Sequence, residues 1–600
     1  MTTDTSKNTA PRPPRTGSVI PLPAAGARLA TGIGATATLI STFLAWTWTK
    51  AFPGDLTVTG YPGGLQVITL LGALLTLLYV LAGYGVRGLR WLTPAGTTAP
   101  VLLLAIGTFA TTWYTVIAIT VDLGGVANLE PGGYIAAITT LATVIAALGL
   151  PADEPLETIP GAKPPNAWKR LLNALAATPT RRAETLPAWG EILIIAAAFG
   201  IGLYLFTYGV DTEYGELFVG YLILAGFGFT ALNRAGLVAR LSALTTKHRN
   251  IALTSAFVAA ACFPFTQEND TYTAVATNIL IFGTVALGLN IVVGLAGLLD
   301  LGYVAFLGVG AYTAALVSGS PESVIGVEFP FWAAVLAGAG ASLVFGVLIG
   351  APTLRLRGDY LAIVTLGFGE IFRISMNNLN GKTGPDITNG SMGIPNIPNL
   401  IFFGFDFGET HDIFGVPIAR MGNYFLLMLF FTLLVVFIFR RAAESRIGRA
   451  WVAIREDETA ATAMGINSFR LKLLAFALGA ALAGLAGTVQ AHVTYTVTPE
   501  QYKFVEAVPP NSAFLLAAVI LGGMGTISGP LVGAALLYLI PAKLTFMADY
   551  QLLLFGVALI LLMRFRPEGL VADRRKQLEF HETGQLDVPD ETVGLSKAEA

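Results

Sequence analysis

The sequence predicts an all-α polytopic membrane protein, and three observations support this fold class. Of its 600 residues, 54% are hydrophobic and only 12% are charged, whereas about 25% are charged in an average soluble domain. Apolar stretches close to the ~20 residues that cross ~30 Å of hydrocarbon recur from residue 29 to residue 563. Lysine and arginine gather in every second connection between these stretches, as in the cytoplasmic loops of membrane proteins.

Composition excludes several other classes of protein. The formal net charge of −2 gives no indication of a nucleic-acid partner. The single cysteine, Cys262, rules out an internal disulfide bond and a cysteine-rich metal site. The histidines lack the spacing of metal ligands, and we expect them in loops or at helix ends: His248, His411, His492 and His581.

The N-terminal part of the chain is predicted to be a tail followed by an extension of six spans. Residues 1–28 lack hydrophobic periodicity and are expected to form a disordered cytoplasmic tail. The first apolar segment is longer than the apolar region of a signal peptide and has no clear cleavage site after it, so we predict a retained span. The extension covers residues 29–250, and a basic connection at 151–189 divides it. Its apolar segments are 29–49, 65–85, 99–121, 134–150, 190–210 and 216–236.

A second group of apolar segments occupies residues 251–570, before a polar cytoplasmic tail at 571–600. Its ten segments are 251–267, 273–297, 303–319, 329–351, 360–377, 423–439, 471–493, 512–522, 528–541 and 550–563.

The basic residues predict the orientation. With a cytoplasmic N-terminus, 30 of the 36 lysines and arginines lie inside and Arg373 lies within a span. Five lie outside: Lys50, Lys382, Arg420, Lys503 and Lys543. Because positive charge is retained on the cytoplasmic side, both termini and the loop 440–470 are predicted to be cytoplasmic, and the loop around 378–422 external.

Two stretches are predicted to be interrupted hairpins. The apolar halves of 512–541 hold about 10 and 14 residues, or ~15 and ~21 Å of helix, so neither crosses the bilayer comfortably. A single crossing there would place the arginines after residue 563 outside, against the charge asymmetry. We therefore predict that the chain breaks at glycines near 522–530 and returns to the outer side. A similar break is predicted near the midplane at 294–302, within 273–319.

The longest well-charged segment between apolar ones, residues 440–487, is predicted to contain two short helices and to act as a docking surface. Ile447, Ala450, Trp451 and Ile454 fall on one face of the first helix, whereas its arginines point elsewhere. The second helix begins near the acidic pair Asp457 and Glu458 and ends at Gly465, which suits a left-handed position. Asn467 and Ser468 are suited to cap the next helix.

The second helix of this loop resembles the EAA loop of bacterial ABC-importer permeases, here Glu458, Ala460, Ala461 and Gly465. Other segments look like those of the LivM family of branched-chain amino-acid permeases: GLNIVVGLAGLLDLGYVAFLGVGAY (288–312), LRLRGDYLAIVTLGFGEI (354–371), VTPEQYKF (497–504), VILGGMGTISGPLVGA (519–534) and RFRPEGL (564–570). The resemblance covers roughly residues 250–570. It leaves the six-span extension outside, and the sequence does not indicate what the extension does.

The resemblance implies a permease that moves branched-chain or related amino acids inward by alternating access, in the plasma (inner) membrane of a prokaryote. It implies a LivH-like second permease, two cytosolic ABC ATPase subunits and an external solute-binding protein as partners. ATP is then bound by the ATPases and not by this chain. Gly381-Lys382-Thr383 also lacks the earlier glycine of a phosphate-binding loop, because Met376 stands there. The expected ATPase-coupling residues are Ile447, Trp451, Ile454, Glu458 and Gly465, with Trp451 as the buried anchor of that interface.

A pair of charges within a predicted span is a candidate for the translocation path. Glu370 lies ~16 Å along the helix that begins near Asp359, and Arg373 shares its face three residues later. Charges inside a membrane are functional candidates, but an ion pair that only holds helices together remains an equal alternative. The glycines at the predicted breaks and in the neighbouring apolar runs, Gly310 and Gly367 among them, serve helix packing or expose backbone groups to a ligand. The candidates are Gly294, Gly297, Asp300, Glu370, Arg373, Gly523 and Gly525.

Three other functions remain open at this stage. The LivM family usually has a compact TGG-x-x-GI turn after the Glu370 helix, whereas this chain carries a longer loop at 383–394, on the side predicted to be external. A urea or short-amide ABC importer is the nearest alternative, although LGFGEI (366–371) favours amino acids. An ion-coupled secondary transporter would leave the loop 440–470 without a purpose. A membrane-embedded enzyme is disfavoured because no nucleophile–base or metal cluster is evident.

Overall fold

The computed structural model describes residues 18–20, 22–48, 63–86, 88–94, 96–151, 167–175, 187–267, 269–356, 358–413, 415–505, 511–544, 550–565 and 569–571. Most of the two predicted tails, much of the connection 151–189, Lys50 and His581 lie outside these residues. The chain divides into two compact units. Unit 1 comprises Met1–Gly202 and Thr212–Ser255, and unit 2 comprises Leu203–Asp211 and Ala256–Ala600.

Unit 1 is built from helices, and apart from α5 and α8 their bounds follow the predicted apolar segments. They are α1 (Ala24–Ser41), α2 (Leu65–Gly83), α3 (Ala99–Asp122), α4 (Pro131–Ala147), α5 (Ala167–Ala174), α6 (Ala188–Asp211), α7 (Gly215–Arg234), α8 (Leu237–Lys247) and α9 (Arg249–Cys262), of which α6 and α9 continue into unit 2. Helix α1 begins four residues before the predicted end of the tail, and Arg28 in it donates a hydrogen bond to the Gly83 carbonyl at the end of α2. The short polar helix α8 was not predicted, because it has too few apolar residues for a span.

Threonines fill the interior between α1, α2, α3 and α4. Their buried hydroxyls donate to the carbonyl four residues earlier, as Thr76 does to Gly72 (2.8 Å) and Thr108 to Leu104 (2.8 Å), so the polar groups are satisfied within each helix. A small gap lies between the four helices, lined by Ala35, Thr38, Ala73, Thr76, Ala105, Thr108, Thr140 and Thr143. Near α8, Glu191 pairs with Lys247 (2.7 Å) and contacts His248 (2.8 Å).

Unit 2 holds the remaining helices and two small β-hairpins. The helices are α10 (Asp270–Asn290), α11 (Val304–Val317), α12 (Phe331–Thr353), α13 (Asp359–Asn378), α14 (Arg420–Glu444), α15 (Arg446–Glu456), α16 (Glu458–Ala463), α17 (Ser468–Thr494), α18 (Ser512–Gly522), α19 (Ser528–Lys543) and α20 (Gln551–Phe565). A π-helical turn, Ile291–Leu295, extends α10. The antiparallel strand pairs are β1 (Ile401–Phe402) with β2 (Phe405–Asp406) and β3 (His411–Ile413) with β4 (Val416–Ile418).

The predicted all-α membrane fold is confirmed. Every apolar segment predicted between residues 251 and 570 contains a helix. Among the described residues, eight helices are long and apolar enough to cross a membrane. The strands are only two or three residues long and lie in the loop between α13 and α14.

Helix α17 lies at the centre of unit 2, packed against α10, α11 and α12. Its glycines allow backbone contact: a Cβ atom at Gly487 would overlap the Leu307 carbonyl, and one at Gly310 would lie 2.5 Å from Gly484 Cα. The Tyr303 hydroxyl donates to the Gly479 carbonyl (2.6 Å). Small residues at such crossings let helices approach closely, as the sequence predicted.

Unit 2 has two distinct ends. At one, Asp270 at the start of α10 accepts from the Met421 N–H (3.1 Å), and Arg420 donates to the carbonyls of His492 (2.7 Å) and Val493 (3.1 Å) at the end of α17. We call this the strand end, because β1–β4 immediately precede α14. The opposite end carries α15 and α16 and is called the α15–α16 end.

Candidate functional site

Side-chain caps define α15, α16 and the start of α17. Ser445 Oγ accepts from the Gly448 N–H (3.1 Å), and Asp457 Oδ1 accepts from the N–H groups of Thr459 (2.8 Å) and Ala460 (3.0 Å). Asn467 Oδ1 caps α17 at the Arg470 N–H (3.1 Å). These bonds satisfy N–H groups that have no partner within a helix. The two short helices and the Asn467 cap predicted from sequence are therefore confirmed.

Gly465 ends α16 in the left-handed conformation that the sequence predicted. Its φ is +87°, and its N–H donates to the Thr462 carbonyl (3.0 Å) while the next N–H, of Ile466, donates to the Ala461 carbonyl (3.1 Å). This pair of bonds is a Schellman motif, in which glycine is preferred because a Cβ is strained at positive φ. The motif sets the direction in which the chain enters α17.

Trp451, expected to anchor an ATPase, packs within this chain. Trp451 is only 1% exposed, and its indole N–H donates to the Leu471 carbonyl (2.8 Å) at the start of α17. Ile454 is also buried. The apolar stripe of α15 faces the protein's own helices, because α15 must bury it to stay in place. The exposed large apolar side chains on α15 and next to α16 are Ile447 and Met464.

Glu458, the acidic residue of the EAA-like loop, attaches α16 to α17. Its carboxylate lies 2.7 Å from Lys472 Nζ, and the Lys472 side chain is 8% exposed. A buried ammonium needs such a partner to offset the loss of hydration. The pair holds α16 against the first turns of α17.

Arg455, predicted to lie off the apolar face of its helix, contacts the interruption after α10. Its Nη1 donates to the Gly294 carbonyl (2.6 Å), and Glu456 holds its Nε (3.1 Å) and Nη2 (2.7 Å). Gly297 has φ +71°, and a Cβ atom there would lie 2.5 Å from Arg455 Cγ. The two glycines thus form the surface against which Arg455 packs.

Asn290 connects the two interruptions. Its Oδ1 accepts from the Gly525 N–H (2.8 Å), and its Nδ2 donates to the Thr526 carbonyl (2.7 Å). Asn290 is fully buried in the last turn of α10. Because it uses both its donor and its acceptor on the same turn, it holds α10 and the break between α18 and α19 in register.

The second interruption is closed by the segment that follows α20. Gly523 and Gly525 both have positive φ, +122° and +80°. Beside them, the N–H groups of Leu570 and Val571 donate to the carbonyls of Leu521 (2.8 Å) and Gly522 (2.9 Å). The irregular backbone is therefore shielded by protein, as bilayer physics requires.

The breaks lie at a different depth from the one predicted. Helix α10 with its π-turn is 26 residues long, about 39 Å at 1.5 Å per residue, which is enough to cross the hydrocarbon alone. Its last turns contact Arg455 of α15. The interruption therefore lies toward the α15–α16 end and not near the midplane, because the apolar run of α10 continues helically past Gly288.

Asp300 lies in the non-helical stretch between α10 and α11 and is buried. Its Oδ1 accepts from the Gly302 N–H (2.9 Å), and the Leu301 N–H donates to Thr365 Oγ1 of α13 (3.1 Å). A Cβ atom at Gly302 would overlap the Thr365 carbonyl. Asp300 therefore shapes a turn that brings this stretch against α13.

The ion pair predicted between Glu370 and Arg373 is confirmed, and it belongs to a larger cluster. Arg373 Nε lies 2.9 Å from Glu370 Oε2, and Nη1 lies 3.1 Å from Glu500 Oε1. Glu500 also pairs with Lys503, and Lys503 and Arg373 hold the pKa of the Glu500 carboxyl below its usual range. The four side chains are 22–49% exposed. We call them the four-charge cluster.

The predicted site residues thus separate into two groups. Gly294, Gly297, Gly523 and Gly525 are brought together with Arg455 at the α15–α16 end, with Asp300 in the adjoining stretch. Glu370 and Arg373 form the other group, with Glu500 and Lys503. Sequence reasoning missed Asn290, Arg455 and Lys472; a buried amide or cation beside a glycine-rich break is the signal that would have identified them. Among the described residues, no group of three or more His, Cys, Asp or Glu side chains could hold a metal ion.

Comparison with known proteins agrees with this architecture. Residues 271–563 match the family described as branched-chain amino acid transport system / permease component. The high-affinity branched-chain amino acid transport system permease protein LivM of Escherichia coli (strain K12) is 39% identical over 347 residues, which cover 56% of this chain and 78% of that protein. LivM of Salmonella typhimurium is 38% identical over 347 residues, which cover 56% of this chain and 78% of that protein. LivH of Escherichia coli (strain K12), named as a permease of the same system, is 25% identical over 296 residues, covering 48% of this chain and 91% of that protein. No solved structure matches the chain.

Proposed function

The chain belongs to the LivM family of branched-chain amino-acid transport permeases, and from this premise we propose that it is the permease subunit of an ABC importer. In this proposal it moves branched-chain amino acids inward by alternating access, in the inner membrane of a prokaryote with both termini cytoplasmic. Two cytosolic ATPases bind ATP and drive it, so the chain itself needs no cofactor. A LivH-like permease completes the membrane part, and an external binding protein delivers the substrate.

One observation carries this proposal: the α15–α16 pair is rigidly joined to the interrupted helices. The caps, the Schellman motif at Gly465 and the Glu458–Lys472 pair fix the two helices against α17. Arg455 then attaches α15 to the break after α10. An ATPase that moves α15 and α16 would therefore move the membrane helices with them. An ion-coupled transporter has no use for such an element.

The function is tested by reconstitution. The chain, a LivH-like permease, the two ATPases and the binding protein are purified together and placed in vesicles, and uptake of labelled leucine is measured. We expect uptake that requires ATP and the binding protein. Uptake that persists without the ATPases, or that follows an imposed ion gradient, would show a secondary transporter instead.

The ATPase interface is predicted to include Met464. Met464 is 84% exposed at the end of α16, on the loop that we propose docks an ATPase. Met464→Asp is expected to remove most of the ATPase from the purified complex, because a carboxylate would be buried without a partner. Met392→Asp is the matched control: Met392 is 75% exposed but lies in the loop after α13, before the β-hairpins. Equal ATPase recovery with both variants would refute the interface.

The orientation is tested with single cysteines in a Cys262→Ala background. Thr388, in the loop predicted to be external, is unsuitable because it is buried and its hydroxyl donates to the Leu379 carbonyl (3.0 Å). Asp386 in the same loop is exposed and is used in its place. Glu444, which is also exposed, is used on the side predicted to be cytoplasmic. An impermeant thiol reagent is expected to label Asp386→Cys from outside and Glu444→Cys only after the membrane is opened. Labelling of both from one side would contradict the charge asymmetry.

A further inference from the structure

Arg455 is the residue of α15 that bonds to the interruption after α10. Its Nη1 donates to the Gly294 carbonyl, and its aliphatic carbons pack on Gly297. The Gly294 carbonyl lies in the π-turn, where the regular helical pattern of α10 ends, and carbonyls at helix ends need an outside donor. The charged guanidinium of Arg455 donates a stronger hydrogen bond than a neutral group would. Its planar shape also leaves Nε and Nη2 in position to donate to Glu456.

A second contact continues from the same turn. Asn290 lies one turn before Gly294, and a Cβ atom at Gly294 would lie 2.6 Å from the Gly525 N. Asn290 bonds both the Gly525 N–H and the Thr526 carbonyl. A displacement of the π-turn therefore cannot occur without moving the break between α18 and α19, unless these two bonds are broken.

We propose that Arg455 is a positioning residue that transmits movement of α15 to both interrupted hairpins: it moves the segment around Gly294 and Gly297 directly and the segment around Gly525 through Asn290. This proposal rests on the proposed function, because it assigns the route by which the ATPases act. It predicts that Arg455 governs the ratio of substrate transported to ATP hydrolysed and not the binding of either partner.

The first test compares Arg455→Lys with Arg449→Lys. Arg449 is a matched control because it lies on the same helix, is exposed, and its Nη1 donates to the local Glu444 carbonyl (3.1 Å). A lysine cannot bond the Gly294 carbonyl and Glu456 with the same fork. We expect Arg455→Lys to retain the ATPases and hydrolyse ATP, while leucine transported per ATP falls about tenfold, as for the loss of a hydrogen bond to a charged group. Arg449→Lys should transport normally.

A second measurement does not depend on transport. Hydrogen–deuterium exchange of the purified chain in lipid should show faster exchange at residues 291–298 in Arg455→Lys and at 523–527 in Asn290→Asp. Asn290→Asp keeps the acceptor for Gly525 but loses the donor to Thr526. Asn278→Asp is its control, because Asn278 lies on the same helix but donates to the Ala274 carbonyl within that helix (3.0 Å).

The two measurements separate this proposal from the proposed function. If the amides of residues 291–298 exchange at the same rate in Arg455→Lys and Arg449→Lys, and both variants transport the same amount of leucine per ATP hydrolysed, Arg455 is not a positioning residue. If the unaltered complex shows no ATP-driven uptake, the importer assignment fails, and the exchange data alone decide whether Arg455 and Asn290 join the two interruptions.

Discussion

Gly310→Ala is expected to keep unit 2 from reaching its folded state in useful amounts. A Cβ atom at Gly310 would overlap the Gly484 carbonyl oxygen and lie 2.5 Å from Gly484 Cα. Both are backbone atoms at the crossing of α11 and α17, so no side-chain rotation relieves the overlap. Overpacking of cores costs roughly 1–3 kcal/mol and more where the backbone must move, and α17 is the central helix of the unit.

Gly367→Ala is the matched control. Gly367 is also a helical glycine of unit 2, but a Cβ atom there meets nothing within 4 Å. Alanine favours helix over glycine by ~1 kcal/mol in soluble hosts, so this variant should fold at least as well as the unaltered chain. The measurements are the yield of monodisperse protein and its midpoint of thermal unfolding. Equal yields and midpoints for the two variants would show that the α11–α17 contact is not as close as the structure has it.

Arg373→Gln is expected to cause the largest loss of uptake with a small loss of folded protein. Arg373 bonds two carboxylates, of Glu370 and Glu500. Because the four-charge cluster is partly exposed, each pair contributes at most about 1 kcal/mol to folding. Charges on a helix predicted to span the membrane are candidates for a water-filled path where their own chain does not fully cover them. Without Arg373, that path would carry excess negative charge, so we expect leucine uptake to fall more than about tenfold.

Two further variants distinguish a role of the Glu370–Arg373 pair in the translocation path from a role in helix packing alone. Arg440→Gln is the control, because Arg440 pairs with Glu444 at i,i+4 on α14 with side chains 28% and 51% exposed, and it should transport normally. The double variant Glu370→Gln, Arg373→Gln removes the pair without leaving one charge alone. We expect normal abundance and low uptake from it. Wild-type uptake by the double variant would show that the pair only holds helices together.

The glycines show why a sequence pattern predicts a class of role but not the individual one. Gly310 and Gly367 lie in similar apolar helical runs, and the sequence assigns both to close helix contact. The structure places Gly310 against backbone and leaves Gly367 open. Which neighbour a helix face meets depends on elements distant in the chain, so the distinction could not be read from either run.

Trp451 and Arg455 illustrate the same limit in the loop 440–470. The 3.6-residue periodicity correctly placed Trp451 and Ile454 on one face, but it could not say whether that face meets another protein or this chain's own α17. It assigned Arg455 to the polar face, although the side chain lies against Gly297. Arg455 reaches the break because that neighbour presents a free carbonyl and a glycine without a side chain, and this is a property of the neighbour.

The sequence by itself determined the membrane class, the order of the helices, the two short helices of the loop 440–470, the cap at Asn467, and the left-handed glycine at Gly465. These features depend on hydrophobic content or on residues within about four positions of each other, where propensity and local hydrogen bonding decide the conformation. Only the tertiary structure decided the depth of the two interruptions and the residues that join them. Arg455 and Gly294 are 161 positions apart, and Asn290 and Thr526 are 236 apart, so their bonds exist only because packing of α10, α15 and α19 brings them together.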